Sequence, residues 1–97
     1  MSKKTITVLM VEPNKHPKIT QLATDLDSLQ KAVSIGASYQ GLIELIGLVE
    51  GICLLCNDEG KVIGLPGNRS IGRDVIAGVF YVVGSDHHTL KKQFDAL

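Results

Sequence analysis

Short apolar runs separated by glycine, proline and polar clusters make up most of the chain, a pattern typical of a β-rich domain. The run at 6–11 contains β-branched residues and is apolar on both alternating faces, which favours a strand covered on both sides. Pro13 and Pro17 interrupt the pattern after it, since proline cannot donate to a sheet ladder. A short second strand is expected near 18–22.

One helix is expected early in the chain. Thr24 stands three residues before Asp27, the spacing of a capping box. Apolar residues follow at helical spacing: Leu26, Leu29 and Val33. Gly36 can supply the left-handed residue on which helices end, so the pattern predicts a helix over about 25–35.

Four apolar runs after this helix are typical of strands. They lie at 42–46, 51–56, 61–65 and 75–83. The polar residues 57–60 predict a hairpin between the second and third of these runs. The run at 75–83 has the strongest β propensity and is expected at the centre of the sheet, with Gly78 marking a bulge or a close backbone approach.

The last residues predict a second helix over about 86–97. Asp86 is a candidate N-cap, and three apolar residues follow at i, i+4 and i+7: Leu90, Phe94 and Leu97. The predicted fold is α+β, a single domain over residues 1–97. It consists of a mostly antiparallel sheet of five or six strands, one packed helix and a short C-terminal helix.

Composition narrows the possible functions. The 97 residues carry ten Lys and Arg against ten Asp and Glu, and this neutral balance argues against a nucleic-acid partner. With 44% apolar residues the chain is expected to fold, and no apolar run reaches the roughly 18 residues that a membrane span needs. The first residues lack the apolar stretch of a secretory signal, so we expect a cytoplasmic protein.

The two cysteines form a C-x-x-C motif at Cys53 and Cys56. On a strand, residues three apart point to opposite faces, so a shared metal site or a redox pair is not expected. We predict buried, reduced thiols, and no metal or cofactor.

No catalytic constellation can be argued from spacing. The histidines are scattered, as His16 and the adjacent His87 and His88, and Asp58 and Glu59 lie in a predicted turn. Because a nucleophile needs a base and an orienting group, we expect a protein that is not an enzyme.

The segment 64–74 is the candidate ligand site. Its glycines permit positive φ and close backbone approach, and its two arginines match phosphate or carboxylate oxygens. The candidate binding residues are Gly64, Pro66, Gly67, Asn68, Arg69 and Arg73. An ordered crossover, in which Asp74 pairs with one arginine and Asn68 caps a turn, explains the same residues, and both interpretations stay open.

Several motifs resemble a small domain-of-unknown-function family of phages, prophages and plasmids. They are Cys-Asn-x-Glu-Gly-Lys at 56–61, Gly-Leu-Pro-x-Asn-Arg at 64–69 and Ile-Ala-Gly-x-Phe at 76–80. The family-like core runs from about 5 to 84. Gly67 stands where the family often has proline.

The resemblance implies an accessory protein of a mobile element. The expected function is counter-defence in the host cytoplasm, by binding and sequestering a phosphate-bearing nucleotide signal. The alternative is a stoichiometric protein-binding inhibitor of a host defence or replication factor. A homodimer is expected because the chain is short and the strand at 75–83 is apolar enough to form a seam.

Overall fold

The computed structural model describes residues 4–49, 51–72 and 74–84. Its elements are β1 (Thr5–Val11), β2 (Lys18–Ala23), α1 (Leu26–Ala32), β3 (Ile43–Val49), β4 (Ile52–Asn57), β5 (Gly67–Ile71), β6 (Asp74–Ala77) and β7 (Phe80–Val83). The predicted helix at 86–97, with His87 and His88, lies outside the described residues, as does Arg73.

Five strands form one antiparallel sheet in the order β2-β1-β7-β4-β3, and β5 and β6 form a separate two-stranded hairpin. The α+β class with a mostly antiparallel sheet is therefore confirmed. β7 lies at the centre, where Leu9 and Leu54 flank Val82 from β1 and β4. The prediction of a central strand is confirmed for the second half of the run at 75–83.

The sheet buries apolar side chains on both faces. On the helix face, Leu29 of α1 and Val33, the residue that follows the helix, are fully buried and pack in a cluster that includes Leu55 and Val83. On the hairpin face, Ile76 of β6 packs with Val11, Leu54, Cys56 and Phe80. This double coverage explains why β1 and β7 are apolar on both alternating faces.

The helix is shorter than predicted and begins with a different cap. Asp25, not Thr24, is the N-cap, and its carboxylate accepts a hydrogen bond from the Ser28 amide at 3.1 Å. The buried Thr24 hydroxyl instead donates to the Lys4 carbonyl at 3.3 Å. The helix ends at Ala32 because the next residues close tighter turns, well before the positive φ of Gly36.

The strand and hairpin predicted at 57–65 are wrong. The Asn57 side chain accepts from the Glu59 amide at 2.8 Å and starts a turn. The amides of Ile63 and Leu65 then donate to the carbonyls of Glu59 and Gly60. Hydrogen bonds of these local turns satisfy the backbone, so 58–64 does not join a sheet. The strand that the sequence analysis missed is β5, further along the chain.

Gly78 divides the run at 75–83 into strands of two different sheets. Its φ is +82°, and its amide donates to the Pro66 carbonyl at 2.7 Å. The prediction of a single long strand over 75–83 is therefore wrong. Both edges of β7 are paired, which leaves no free strand edge there for the expected dimer seam.

Both cysteines are buried and free, on opposite faces of β4. Cys53 lies in the cluster beneath the helix and Cys56 in the cluster beneath the hairpin. Burial raises the pKa of Cys53, and burial with the nearby Glu44 charge raises the pKa of Cys56 to about 12. The prediction that the two thiols are buried and point to opposite faces is confirmed.

Within the described part of the chain, no helix has the length and apolar character to cross a membrane.

We expect Gly78→Ala to destabilise the fold strongly. A methyl group would lie 2.7 Å from Leu65 Cδ1 in a backbone with φ +82°, and the left-handed conformation alone costs about 1–2 kcal/mol. Gly47→Ala is the control, because that position has nothing within 4 Å. Urea denaturation measures both; an equal, small loss in the two variants would contradict this account.

We expect Tyr81→Phe to remove a pH-dependent part of the stability. The Tyr81 hydroxyl donates to the Ala32 carbonyl at 2.8 Å, and burial followed by the charge of Glu12 raises the pKa of Tyr81 to about 12. Stability from this raised pKa is complete below the unfolded pKa of about 10 and is lost as pH rises through the folded one. The difference in unfolding free energy between the native protein and Tyr81→Phe should therefore shrink as the pH rises from about 10 to about 12. A difference that stays constant over this range would contradict the role given to the Tyr81 hydroxyl.

Candidate functional site

The predicted ligand loop is mostly a hairpin. Gly67 pairs with Ala77, and Arg69 with Ile76, so the backbone of β5 is used in the ladder. Gly64 and Gly72 have positive φ, at 80° and 61°, whereas Gly67 is not in that region. An open cradle of backbone amides across the segment is therefore not formed, and the side chains become the relevant groups.

Asn68 joins the hairpin to the main sheet. The register of β5 shifts between Gly67 and Arg69, and this irregularity turns the Asn68 side chain towards the sheet. Its amide nitrogen donates to the Val11 carbonyl at 2.8 Å and to the Gly78 carbonyl at 2.9 Å. Asn68 thus satisfies two backbone acceptors at the junction of the two sheets.

Arg69 connects this junction to the turn between β1 and β2. Its Nη1 donates to Asn68 Oδ1 at 2.7 Å, and its Nη2 donates to the Lys15 carbonyl at 2.7 Å. The guanidinium is half-buried and held at two points. Because its plane is fixed from both sides, its orientation is set by the fold.

A cationic turn adjoins the guanidinium through the Lys15 carbonyl. We use this name for Lys15, Lys18 and Arg69 together with Glu12. The Glu12 carboxylate pairs with Lys15 at 3.3 Å and with Lys18 at 3.4 Å, and the hydrogen bond from Lys15 lowers the pKa of Glu12. Two lysines thus pair with Glu12, and Arg69 contacts the same turn through the Lys15 carbonyl. The exposed His16 lies in this turn as well. The sequence interpretation missed the two lysines because β1 and β5 lie far apart along the chain.

Asp74 pairs with Lys61 rather than with Arg69. The side-chain hydrogen bond from Lys61 lowers the pKa of Asp74. In the alternative interpretation Asp74 pairs with one of the two arginines; Arg69 is not that partner, and Arg73 lies outside the described residues. Because Asp74 pairs with Lys61, no carboxylate among the described residues pairs with the Arg69 guanidinium.

An acidic groove of about 260 Å³ lies on the other side of the hairpin. Its charged lining residues come from β3, the turn after β4, and β6: Glu44, Asp58, Glu59, Lys61 and Asp74. Although the whole chain is neutral, the described residues thus form one cationic and one acidic surface. In the sequence, the adjacent carboxylates Asp58 and Glu59 indicate part of this groove. Their proximity to Glu44 and Asp74 depends on the tertiary fold.

The predicted site residues are only partly brought together. Asn68 and Arg69 are in direct contact, and the Pro66 carbonyl accepts from Gly78 nearby. Gly64 lies in the exposed turn before Leu65, and Arg73 lies outside the described residues. In the part of the chain that the structure describes, no group of three or more His, Cys, Asp and Glu side chains could hold a metal ion.

We expect Asn68→Asp to destabilise the fold by about 1–3 kcal/mol, because it replaces a donor to two carbonyls with an acceptor. The loss should exceed that from Arg69→Ala, whose bond to Lys15 is exposed. It should also diminish at acidic pH, where a protonated Asp can donate. Ser70→Ala, an exposed change in the same strand, is the control for denaturation measurements. A loss no larger than that control would show that Asn68 is not a junction.

Comparison with known families gives one result. A model for a domain of unknown function, DUF3846, matches residues 6–94, which includes all eight helices and strands apart from the first residue of β1. Comparison with curated proteins and comparison with solved structures each found no match. Because the family model covers nearly the whole chain, this protein belongs to the DUF3846 family.

Proposed function

We propose that this protein is a non-enzymatic binding domain that takes up a phosphate-bearing nucleotide at the cationic turn. The observation that supports this best is the fixed guanidinium of Arg69, held between Asn68 Oδ1 and the Lys15 carbonyl. An arginine fork bonds two phosphate oxygens at once. A fork already fixed by the fold loses less conformational freedom when a ligand binds.

The residues have separate roles in this proposal. Arg69 supplies the directional contact, and Lys15 and Lys18 supply charge from the neighbouring turn. Asn68 acts as a positioning residue, since its side-chain oxygen holds the guanidinium while its nitrogen is bonded to backbone carbonyls. Glu12 keeps the two lysines close together, and a phosphate with more than one negative charge still meets an excess of cations.

The biological setting belongs to the same proposal. The motif resemblance points to an accessory protein of a phage or another mobile element, acting in the host cytoplasm. A small protein without a catalytic constellation works stoichiometrically, so we propose that it sequesters a nucleotide signal of host defence. Self-association as a homodimer remains part of the proposal. Among the described strands, β2 and β3 are the outer ones of the main sheet and have one unpaired edge each for it, whereas β7 is paired on both edges.

The acidic groove favours a second candidate function, the inhibition of a basic host protein. Four carboxylates line the groove against one lysine, and Val62 on its rim is 86% exposed. An exposed apolar side chain beside concentrated negative charge suits a protein surface that carries lysines or arginines. Phosphate would be repelled there, so the two candidates use different surfaces.

We expect Arg69→Ala to weaken nucleotide binding by about tenfold to a hundredfold, because a charge-assisted contact is worth about 1.5–3 kcal/mol. Calorimetry with adenosine triphosphate and a cyclic dinucleotide as probes measures this, with adenosine as the unphosphorylated comparison. Lys31→Ala is the matched control, because it also removes one positive charge but lies on the helix, paired with Asp27 at 2.9 Å. Arg69→Lys should recover only part of the affinity.

Released ligand gives an independent readout. The chain has no Trp and two Tyr, so a nucleotide that co-purifies from defence-expressing cells would dominate absorption near 260 nm. Equal binding by native protein and Arg69→Ala would reject the cationic turn as the site. Absence of nucleotide binding, together with recovery of one host protein at a fixed ratio, would favour the acidic-groove function instead.

A further inference from the structure

The outer edge of β2 presents backbone hydrogen-bonding groups at alternate residues. The register of β1 and β2 continues to Lys4 and Thr24, and the Thr24 amide donates to the Lys4 carbonyl at 3.0 Å. Hydrogen-bonded pairs alternate along an antiparallel ladder. The N–H and C=O groups of Ile19, Gln21 and Ala23 therefore point away from β1, and no described strand pairs with them.

Helix α1 runs away from this edge. It follows β2 along the chain and crosses the sheet towards the opposite side. At its far end, the Ala32 carbonyl accepts from the Tyr81 hydroxyl of β7 at 2.8 Å. The Val33 carbonyl accepts from Asn57 Nδ2 of β4 at 3.3 Å. The helix thus covers the interior of the sheet and leaves room for another strand beside β2.

The edge of β2 is uncharged over most of its length and carries an exposed apolar side chain. Residues 19–23 include no charged residue and no proline, and Ile19 is 77% exposed. Charge and proline are the usual means by which proteins prevent pairing at an open edge. An edge without them is a template for another strand.

We propose that β2 pairs with β2 of a second copy of this chain, antiparallel and about a two-fold axis at Gln21. Ladder bonds form only between residues whose backbone groups point outward, and this axis pairs Ile19 with Ala23 of the second copy. Such pairing forms about six backbone hydrogen bonds and joins the two main sheets into one. This β2 seam would supply the homodimer that the proposed function includes, and it rests on that part of the proposal.

The two ends of β2 carry opposite charges, which favours a second copy as the partner. Lys18 begins the strand, and its side chain is 61% exposed. Asp25 and Asp27 follow the strand at the start of α1. Antiparallel pairing about Gln21 places Lys18 opposite Thr24 of the second copy, beside the acidic start of its helix. The β2 seam therefore brings opposite charges together at both of its ends.

The other outer edge fits a second copy less well. The register of β3 and β4 continues to Leu42 and Asp58, and the Asp58 amide donates to the Leu42 carbonyl at 2.9 Å. By the same alternation, the odd-numbered residues of 43–47 point outward. A two-fold axis at Leu45 would place Glu44 about 7–8 Å from Glu44 of the second copy. Like charges at this spacing oppose pairing, whereas the ends of β2 attract each other.

Amide hydrogen exchange of the full chain, followed by NMR at increasing protein concentration, tests the seam. We expect the amides of Ile19, Gln21 and Ala23 to become protected as the dimer forms. The outward amides of Leu45 and Gly47 on β3 are the comparison and should exchange fast at every concentration. Protection of the β3 amides instead would keep the homodimer but overturn the β2 seam. A protein that stays monomeric at millimolar concentration would overturn both.

Gln21→Pro separates pairing from folding. Its amide points outward, so proline at this position removes a bond of the seam and none of the β1 ladder. Sedimentation should show a folded monomer. Gly47→Pro, the same change at an outward amide of β3, should leave the dimer intact. A Gln21→Pro protein that dimerises like the native one would overturn the proposal. Calorimetry of this variant with adenosine triphosphate measures the cationic turn alone, so the two proposals can fail separately.

Lys18→Gln tests the charge contribution. Dimerisation should weaken by about twofold to twentyfold, because the dimer would lose two exposed ion pairs. Lys15→Gln is the matched control, since Lys15 pairs with the same Glu12 carboxylate at 3.3 Å but lies outside β2. Equal weakening by both changes would contradict the position of Lys18 in the seam.

Discussion

The left-handed turn at Gly78 is the constraint on which the rest of the architecture depends. Without it, 75–83 would continue as one strand, and the hairpin could not fold over the sheet it leaves. The Gly78 amide bonds to the Pro66 carbonyl, and its carbonyl accepts from Asn68. The same residue therefore bends the chain and anchors the start of β5, which leaves β7 free to occupy the centre of the sheet.

This bend also arranges the charges. It places Arg69 on one side of the hairpin, against the carbonyl of Lys15, and Asp74 on the other, paired with Lys61. A chain of formal net charge zero thus still carries a cationic and an acidic surface. The net charge determines how the whole molecule attracts or repels a distant charged partner. Within a Debye length, binding depends instead on the local cationic and acidic surfaces.

The sequence predicted those features that depend on local pattern. Burial on both faces of β1 followed from its apolar run, and the opposed cysteines followed from strand periodicity. The prediction of a strand at 61–65 was wrong because Asn57 starts a turn whose hydrogen bonds satisfy the backbone locally. β propensity does not include this competition between turn bonds and sheet pairing. The lysines beside Arg69 and the acidic groove could not be predicted, since each brings together residues from separate elements whose pairing only the fold determines.

Polar contacts of Asn68 and Arg69 hold the hairpin to the main sheet and to the β1–β2 turn, and the proposed ligand would add to them. Asn68 bonds to β1 and to Gly78, while Arg69 bonds to the β1–β2 turn. A phosphate bound by Arg69 and Lys15 would therefore bridge the two sheets rather than rest on one of them. Because such a ligand binds only the folded arrangement, its binding free energy adds to the stability of the junction. The contacts that would bind the phosphate would then also hold the hairpin on the main sheet.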